Sequence, residues 1–126
     1  MRRGEVWWTL CDLAFEDHLW HDRKRPVVLL SSEDGSDIRV IWIVAPAKKD
    51  ACGIVIELAV GRDEGLDREG VLRVALPRPG RILCDWLTTL ASTDLVERAG
   101  ALSPAKLLQL ENNLRFAQID PARWEG

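Results

Sequence analysis

The hydrophobic positions of this chain fall into short apolar runs, separated from one another by residues that favour turns. The runs are rich in Val, Ile, Leu and Trp, and the segments between them are rich in Gly, Asp, Ser and Pro. Only five residues, 33–37, separate the second run from the third, which predicts that these two runs form a β-hairpin. The predicted strands are residues 4–10, 26–32, 38–45, 54–60, 71–76 and 82–89.

The hydrophobic period changes after residue 90, where leucines begin to recur at helical spacing. Ser103 is a preferred N-cap and Pro104 suits the first helical position, and leucines then recur every three to four residues between 107 and 114. This pattern predicts an amphipathic helix from residue 104 to about residue 118. A short helical turn is predicted over residues 92–97, with Gly100 ending it.

Six strands followed by one helix predict a mainly β protein of the α+β class, a small antiparallel sheet or barrel with the helix packed on it. The chain has 126 residues, of which 47% are apolar and 29% are charged, and this composition is typical of a single domain spanning residues 1–126. A chain of this length buries roughly two thirds of the surface that it exposes when unfolded. It therefore needs no disulfide or metal to build a core.

The cysteines and the hydropathy exclude several classes of protein. Cys11, Cys52 and Cys84 are odd in number and form no Cys-x-x-Cys pair, so we expect neither a disulfide framework nor a metal site, and no cofactor. The longest apolar run, residues 40–47, is much shorter than the about 20 residues of a membrane-spanning helix. The first residues lack the apolar stretch of a signal peptide. We therefore expect a cytoplasmic protein with no membrane association.

The formal net charge of −3 argues against a wholly basic surface for binding nucleic acid, but the charges are unevenly distributed. Residues 20–49 carry six basic and four acidic side chains, whereas residues 57–70 carry two basic and five acidic ones. Three glycines in the acidic segment predict a solvated loop. The basic segment is the better candidate for contact with an anionic partner.

Five motifs, in this order, give the chain a family resemblance that covers about residues 2–118. The motifs are Arg3-Gly4-Glu5-Val6-Trp7-Trp8, Lys24-Arg25-Pro26-Val27-Val28-Leu29-Leu30-Ser31, Val44-Ala45-Pro46, Cys84-Asp85-Trp86-Leu87-Thr88-Thr89 and Arg98-Ala99-Gly100-Ala101-Leu102-Ser103. The chain resembles the MazF/PemK/Kid toxins of bacterial toxin–antitoxin modules. The resemblance implies an SH3-like β-barrel that forms a homodimer, cuts single-stranded RNA at short sequences without a metal, and is inhibited by an antitoxin.

The implied reaction makes specific demands on the side chains of the site. Attack of a ribose 2′-OH on the neighbouring phosphate needs a base, positive charge at the departing 5′-oxygen, and hydrogen-bond donors for the phosphorane oxygens. The resemblance assigns the catalytic arginine to Arg25, whose guanidinium offers five donors and is a poor base. Asp85 matches the family's aspartate and would accept the 2′-OH proton or orient Arg25. A structural ion pair is the alternative for this carboxylate.

The chain departs from the family after the third predicted strand. The family usually has Ser or Thr one or two residues after the proline that closes this strand, whereas this chain continues from Pro46 as Ala47, Lys48 and Lys49. Lys48 would supply a cation to the same phosphate, but an ammonium has no acceptor and does not replace a hydroxyl. A hydroxyl from residues 31–32 or 88–89 is the other candidate.

The remaining candidate residues would bind RNA. The alternatives are solvated loop histidines at 18 and 21, and core or dimer packing for Trp20 and Trp86. The histidines of the first long loop lie where relatives contact RNA, and a tryptophan in that loop and another beside Asp85 offer faces on which splayed bases stack. The expected RNA-binding residues are His18, Trp20, His21, Arg23, Lys24, Lys49, Arg78, Arg81 and Trp86. The basic segments around 23–25 and 78–81 also suit an acidic antitoxin peptide, and we expect RNA and antitoxin to compete for them.

Two other functions remain open on the sequence alone. Related barrels of the CcdB type bind DNA gyrase instead of cutting RNA, and the missing hydroxyl after Pro46 favours that reading. The second is a family member that has lost its toxin activity and only binds antitoxin. Arg25, Pro26 and Asp85 are all retained, and they favour the endoribonuclease.

Overall fold

A computed structural model describes residues 2–10, 24–31, 37–44, 55–75 and 87–116 of the chain. Within these ranges the strands are β1 (Glu5–Leu10), β2 (Lys24–Leu29), β3 (Asp37–Val44), β4 (Val55–Val60), β5 (Gly70–Ala75), β6 (Leu87–Ala91) and β7 (Leu95–Ala101). Short 3₁₀ turns occupy Arg62–Glu64 and Ser92–Asp94, and helix α1 runs from Pro104 to Phe116. Among the described residues, no helix has the length and apolar character that crossing a membrane requires.

The strands form one curled antiparallel sheet in the order β4-β5-β3-β2-β1-β7, and β6 pairs with β3 beside β5. The path β6-β3-β2-β1-β7, with a 3₁₀ turn joining β6 to β7, is the strand order of an SH3-like barrel. The β4–β5 hairpin extends this sheet, because β5 pairs with the last two residues of β3. The predicted small antiparallel barrel with a C-terminal helix is confirmed.

The predicted hairpin of β2 and β3 is also confirmed. Its antiparallel ladder pairs Val27 with Trp42 and Leu29 with Val40. These residues belong to a buried cluster on one face of the sheet, together with Ile38, Val44, Val71 and Leu95. A second cluster on the other face includes Val6, Val28 and Ile41 and packs against Leu110 and Leu114 of α1. The sheet is therefore apolar on both faces where these strands cross.

Helix α1 begins where the sequence predicts. The Ser103 side-chain oxygen accepts a hydrogen bond from the Lys106 amide at 3.1 Å, and the Ser103 carbonyl accepts one from the Leu107 amide at 2.9 Å. This is N-cap geometry, which satisfies donors that the first turn of a helix leaves unpaired. The described part of the helix runs to Phe116, and its predicted end near residue 118 lies outside the described residues.

The prediction of a helical turn over residues 92–97 is wrong beyond residue 94, and the described residues contain seven strands where six are predicted. The 3₁₀ turn is held by the Asp94 carboxylate, which accepts a hydrogen bond from the Ala91 amide at 3.0 Å. The chain then becomes β7 because it pairs with β1, and Gly100 lies within this strand. Pairing with a neighbouring strand overrides the weak local preference for a turn.

Of the acidic segment 57–70, which is predicted to be a solvated loop, residues 61–69 form a loop, whereas residues 57–60 belong to β4 and Gly70 to β5. The loop is not wholly solvated. Glu64 is 2% exposed and Leu66 is 3% exposed. Gly65 has φ +90, and a Cβ on it would lie 1.9 Å from the Ala99 carbonyl oxygen. The loop therefore packs directly on the backbone of β7, which only a glycine at position 65 permits.

Candidate active site

Arg25 is the predicted catalytic residue that the structure describes. It lies on β2, is half-buried, and stands directly opposite Thr9 of β1. Side chains alternate along a strand, so Arg25 shares a sheet face with Val27 and Leu29, both of which are fully buried. The guanidinium therefore projects from the end of a rigid apolar surface.

Pro26 holds the backbone next to this arginine in an extended form. Proline disfavours the helical region for the residue before it, so residue 25 is restricted to extended conformations. Pro26 is itself buried and stands opposite Trp8, which packs against the first apolar cluster. The Arg-Pro pair is thus fixed on both faces of β2.

Thr9, the cross-strand neighbour of Arg25, is one of two buried polar or charged side chains among the described residues. Its hydroxyl donates a hydrogen bond to the Asp94 carbonyl at 2.7 Å. Asp94 in turn accepts the Ala91 amide through its carboxylate. This chain of contacts connects the end of β1 with the turn that leads from β6 to β7.

Glu5 forms a second polar cluster at the other end of β1. Its carboxylate accepts the Arg2 amide at 2.7 Å, the Trp7 indole N–H at 3.3 Å and the Arg98 Nε at 2.9 Å. Burial acts to raise the pKa of Glu5, but these three donors outweigh it and leave the pKa below its ordinary value of 4.5. The cluster joins the first motif of the chain to the last one.

Lys24 is the second predicted site residue that the structure describes. It is exposed and stands opposite Leu10 at the end of the β1–β2 ladder, next to Arg25 along the chain. The other predicted residues lie outside the described residues: Asp85, Lys48, His18, Trp20, His21, Arg23, Lys49, Arg78, Arg81 and Trp86.

The strand register separates Arg25 from Ser31 and Thr88, two of the hydroxyls proposed as substitutes for the missing one. Thr89 stands one residue further from Arg25 than Thr88, and Ser32 lies outside the described residues. Ser31 is six residues along from Arg25, about 20 Å in an extended chain, and its oxygen accepts the Arg39 amide at 3.1 Å. Thr88 stands opposite Val40, which pairs with Leu29, so it lies about four residues or ~13 Å along the sheet from Arg25. Neither hydroxyl is brought beside the guanidinium.

Sequence reasoning missed Thr9. A threonine inside the run Val6 to Leu10 looks like an ordinary strand former. Its pairing with Arg25 depends on the register of two strands joined by residues 11–23, a connection too long to fix that register. One signal in the sequence could have drawn attention to Thr9. The two-residue period of a strand places the polar side chain of Thr9 on the same face as Glu5 and Trp7.

The described part of the site supplies a positively charged group with several donors, Arg25, on a strand that pairs with β1. A guanidinium of this kind suits a phosphate or another oxyanion, because its fork of N–H groups matches the spacing of two oxygens. Lys24, the preceding residue of β2, adds an exposed positive charge at the same strand end, with its side chain on the opposite face of the sheet. The arrangement fits an anionic ligand.

Comparison with protein families gives a match over almost the whole chain. The model for the PemK-like, MazF-like toxin of type II toxin-antitoxin systems matches residues 2–117. The range agrees with the resemblance over residues 2–118 that the five motifs predict. A comparison with curated proteins gives no match.

Proposed function

Because this chain belongs to the PemK-like, MazF-like toxins of type II toxin–antitoxin systems, we propose that it is an endoribonuclease that cleaves single-stranded RNA without a metal. The observation that carries this proposal is the position of Arg25. It is half-buried at the end of an apolar strand, with its backbone fixed by Pro26, and exposed Lys24 is the preceding residue of that strand. A guanidinium held in this way is suited to charge that develops on a phosphate.

In the proposed reaction the 2′-oxygen of one ribose attacks the adjacent phosphorus and the bond to the 5′-oxygen of the next nucleotide breaks. The products are a 2′,3′-cyclic phosphate and a free 5′-hydroxyl. Arg25 stabilises the negative charge of the phosphorane and of the departing 5′-oxygen, which takes a proton from Arg25 or from water and so becomes the hydroxyl. Asp85 accepts the 2′-OH proton or orients Arg25, and Lys48 adds positive charge where relatives have a hydroxyl.

Membership of the family implies an antitoxin partner. We propose that the antitoxin covers the basic surface around residues 23–25 and 78–81, and that it competes there with RNA. A ternary complex that still cleaves RNA at the full rate would contradict this overlap. We further propose that the protein acts in the cytoplasm, as one domain in a homodimer.

The deciding experiment compares the protein with Arg25→Ala, Arg25→Lys and a matched control, Arg115→Ala. Arg115 lies on the exposed side of α1, with its side chain 61% exposed, and removing it deletes one guanidinium from a different element of the fold. Each protein is incubated in EDTA with a long RNA of mixed sequence, and every new 5′ end is mapped and tested for a free hydroxyl.

We expect discrete cuts at one short sequence, with 5′-hydroxyl ends, from the wild type and from Arg115→Ala. Arg25→Ala should lose about 100-fold to 1,000-fold in rate, the usual cost of removing one transition-state donor. Arg25→Lys should also be impaired, because it keeps the charge and loses the planar fork. If the folded wild type makes no cuts anywhere in the RNA, the endoribonuclease is excluded and the two non-catalytic alternatives, gyrase binding and antitoxin binding alone, replace it.

A further inference from the structure

We propose that Thr9 is a positioning residue for Arg25, which it holds in place by anchoring the end of β1 to the 3₁₀ turn Ser92–Asp94. The inference rests on the proposed function, because Arg25 is catalytic only in that proposal. The observation behind it is that the one buried hydroxyl among the described residues stands opposite the candidate catalytic arginine.

The backbone of β2 at Arg25 depends strongly on β1. β1 pairs with residues Lys24 to Val28 of β2, a range that includes Arg25. The described ladder between β2 and β3 begins only at Val27, two residues after Arg25. Pro26, between Arg25 and Val27, has no N–H to donate to a neighbouring strand. Fraying of the last two residues of β1 would therefore release Arg25 from its ladder.

The end of β1 needs an additional anchor, because its other ladder is irregular at this point. The pairing with β7 shifts register between Trp8 and Thr9, as in a β-bulge, and Leu10 beyond it is 59% exposed. The hydroxyl of Thr9 supplies the anchor through its 2.7 Å hydrogen bond to the Asp94 carbonyl. That turn is itself fixed by the bond from the Ala91 amide to the Asp94 carboxylate.

Thr9 acts through Arg25 and does not touch the substrate. The residue is 1% exposed, so no RNA atom reaches its hydroxyl in this fold. Valine has nearly the same shape as threonine, and Thr9→Val therefore deletes the anchoring bond and keeps the packing. Thr9→Ser keeps the bond and deletes one methyl group.

The experiment uses Thr9→Val, Thr9→Ser and the control Thr93→Val, which makes the same chemical change at an exposed position of the same turn. RNA cleavage is measured well below the thermal midpoint of each variant, so that all are fully folded. The rate is resolved into kcat and KM. Amide hydrogen exchange is measured in parallel at Lys24 and Arg25, with Val28 and Ile41 as reference amides of the buried sheet.

We expect Thr9→Val to lower kcat by about 10-fold to 100-fold, the cost of displacing a catalytic group by around 1 Å. The increase in KM should be smaller than the decrease in kcat. Exchange at Lys24 and Arg25 should accelerate at least fivefold more than at the reference amides. Thr9→Ser should restore both properties, and Thr93→Val should match the wild type.

Two results would overturn the proposal. The first is wild-type kcat in Thr9→Val. The second is exchange that accelerates equally at Arg25 and at the reference amides, since that is general destabilisation without a local effect. If the wild type cuts no RNA, the proposed function fails, and the exchange comparison still decides whether Thr9 holds Arg25.

Discussion

Replacement of Lys106 by Met is expected to destabilise the protein more than replacement of its partner Glu64 by Gln. The two side chains form an ion pair of 2.9 Å between α1 and the loop over residues 61–69. Glu64 is 2% exposed, and its other oxygen accepts the Gly61 amide at 2.7 Å. Lys106 is 31% exposed, so its ammonium retains access to water.

This difference in burial sets the magnitudes. Lys106→Met leaves a carboxylate in the protein interior without its cation, and breaking a buried pair from one side costs about 3–5 kcal/mol. Because water reaches the Lys106 end of the pair, we expect a cost just below this range, about 2–3 kcal/mol. Glu64→Gln keeps an oxygen for the Gly61 amide and lets the ammonium turn to water, which costs about 1 kcal/mol.

Urea unfolding measures the difference. With a slope of about 1.5 kcal/mol/M, the midpoint should fall by about 1.3–2 M in Lys106→Met and by about 0.7 M in Glu64→Gln. Arg115→Met is the control, since it removes a cation from the exposed side of the same helix. The double variant should be more stable than Lys106→Met alone, because no charge is then buried. A Glu64→Gln protein less stable than Lys106→Met would refute the reasoning.

Two further expectations concern the other contacts of the loop and of β1. Gly65→Ala should cost more than about 2 kcal/mol, because it combines φ +90 with a Cβ that would lie 1.9 Å from a backbone carbonyl. Gly61→Ala, in extended backbone beside a flexible Glu69 side chain, should cost less in the same urea assay. Glu5 has a lowered pKa, so its stabilising effect is complete above about pH 4.5 and is lost as the pH falls through the pKa of the folded state. The stability gap between wild type and Glu5→Gln should therefore shrink below pH 4.5, and a gap of constant size down to pH 3 would show that the ionised carboxylate contributes nothing.

The elements that the sequence predicts well are those in which local chemistry and tertiary pairing agree. The β2–β3 hairpin has two β-branched runs and a short turn, and α1 has a capping serine directly before a proline. β7 lacks such agreement. Its sequence Leu-Val-Glu-Arg-Ala-Gly-Ala has no strict alternation, and Val96 and Ala99 are the additional residues at its two irregularities opposite β1. β7 forms a strand because the edge of β1 that does not pair with β2 supplies backbone hydrogen-bond partners.

The candidate site divides in the same way. Arg25 is predictable because the Arg-Pro pair precedes an apolar strand in a recognisable motif. Its partner Thr9 is not, because cross-strand register is a property of the folded sheet and a slip of one residue would place Thr9 on the opposite face. Burial of Glu64 is equally hidden, since five acids among residues 57–70 look alike in sequence. Only the fold brings Lys106 to one of them.

The structure also separates two kinds of motif within the family resemblance. In the first motif, Gly4 has φ +89 and its carbonyl accepts the Leu102 amide at 2.8 Å, while Glu5 binds Arg98 of the last motif. These contacts join β1 to β7 and to the start of α1, so the two motifs are explained by folding alone. The Arg-Pro motif lies on β2, opposite the other end of β1, where Thr9 pairs with Arg25. Glu5→Gln should therefore lower stability without changing the cleavage chemistry, whereas Arg25→Ala should lower cleavage in a protein that is still folded.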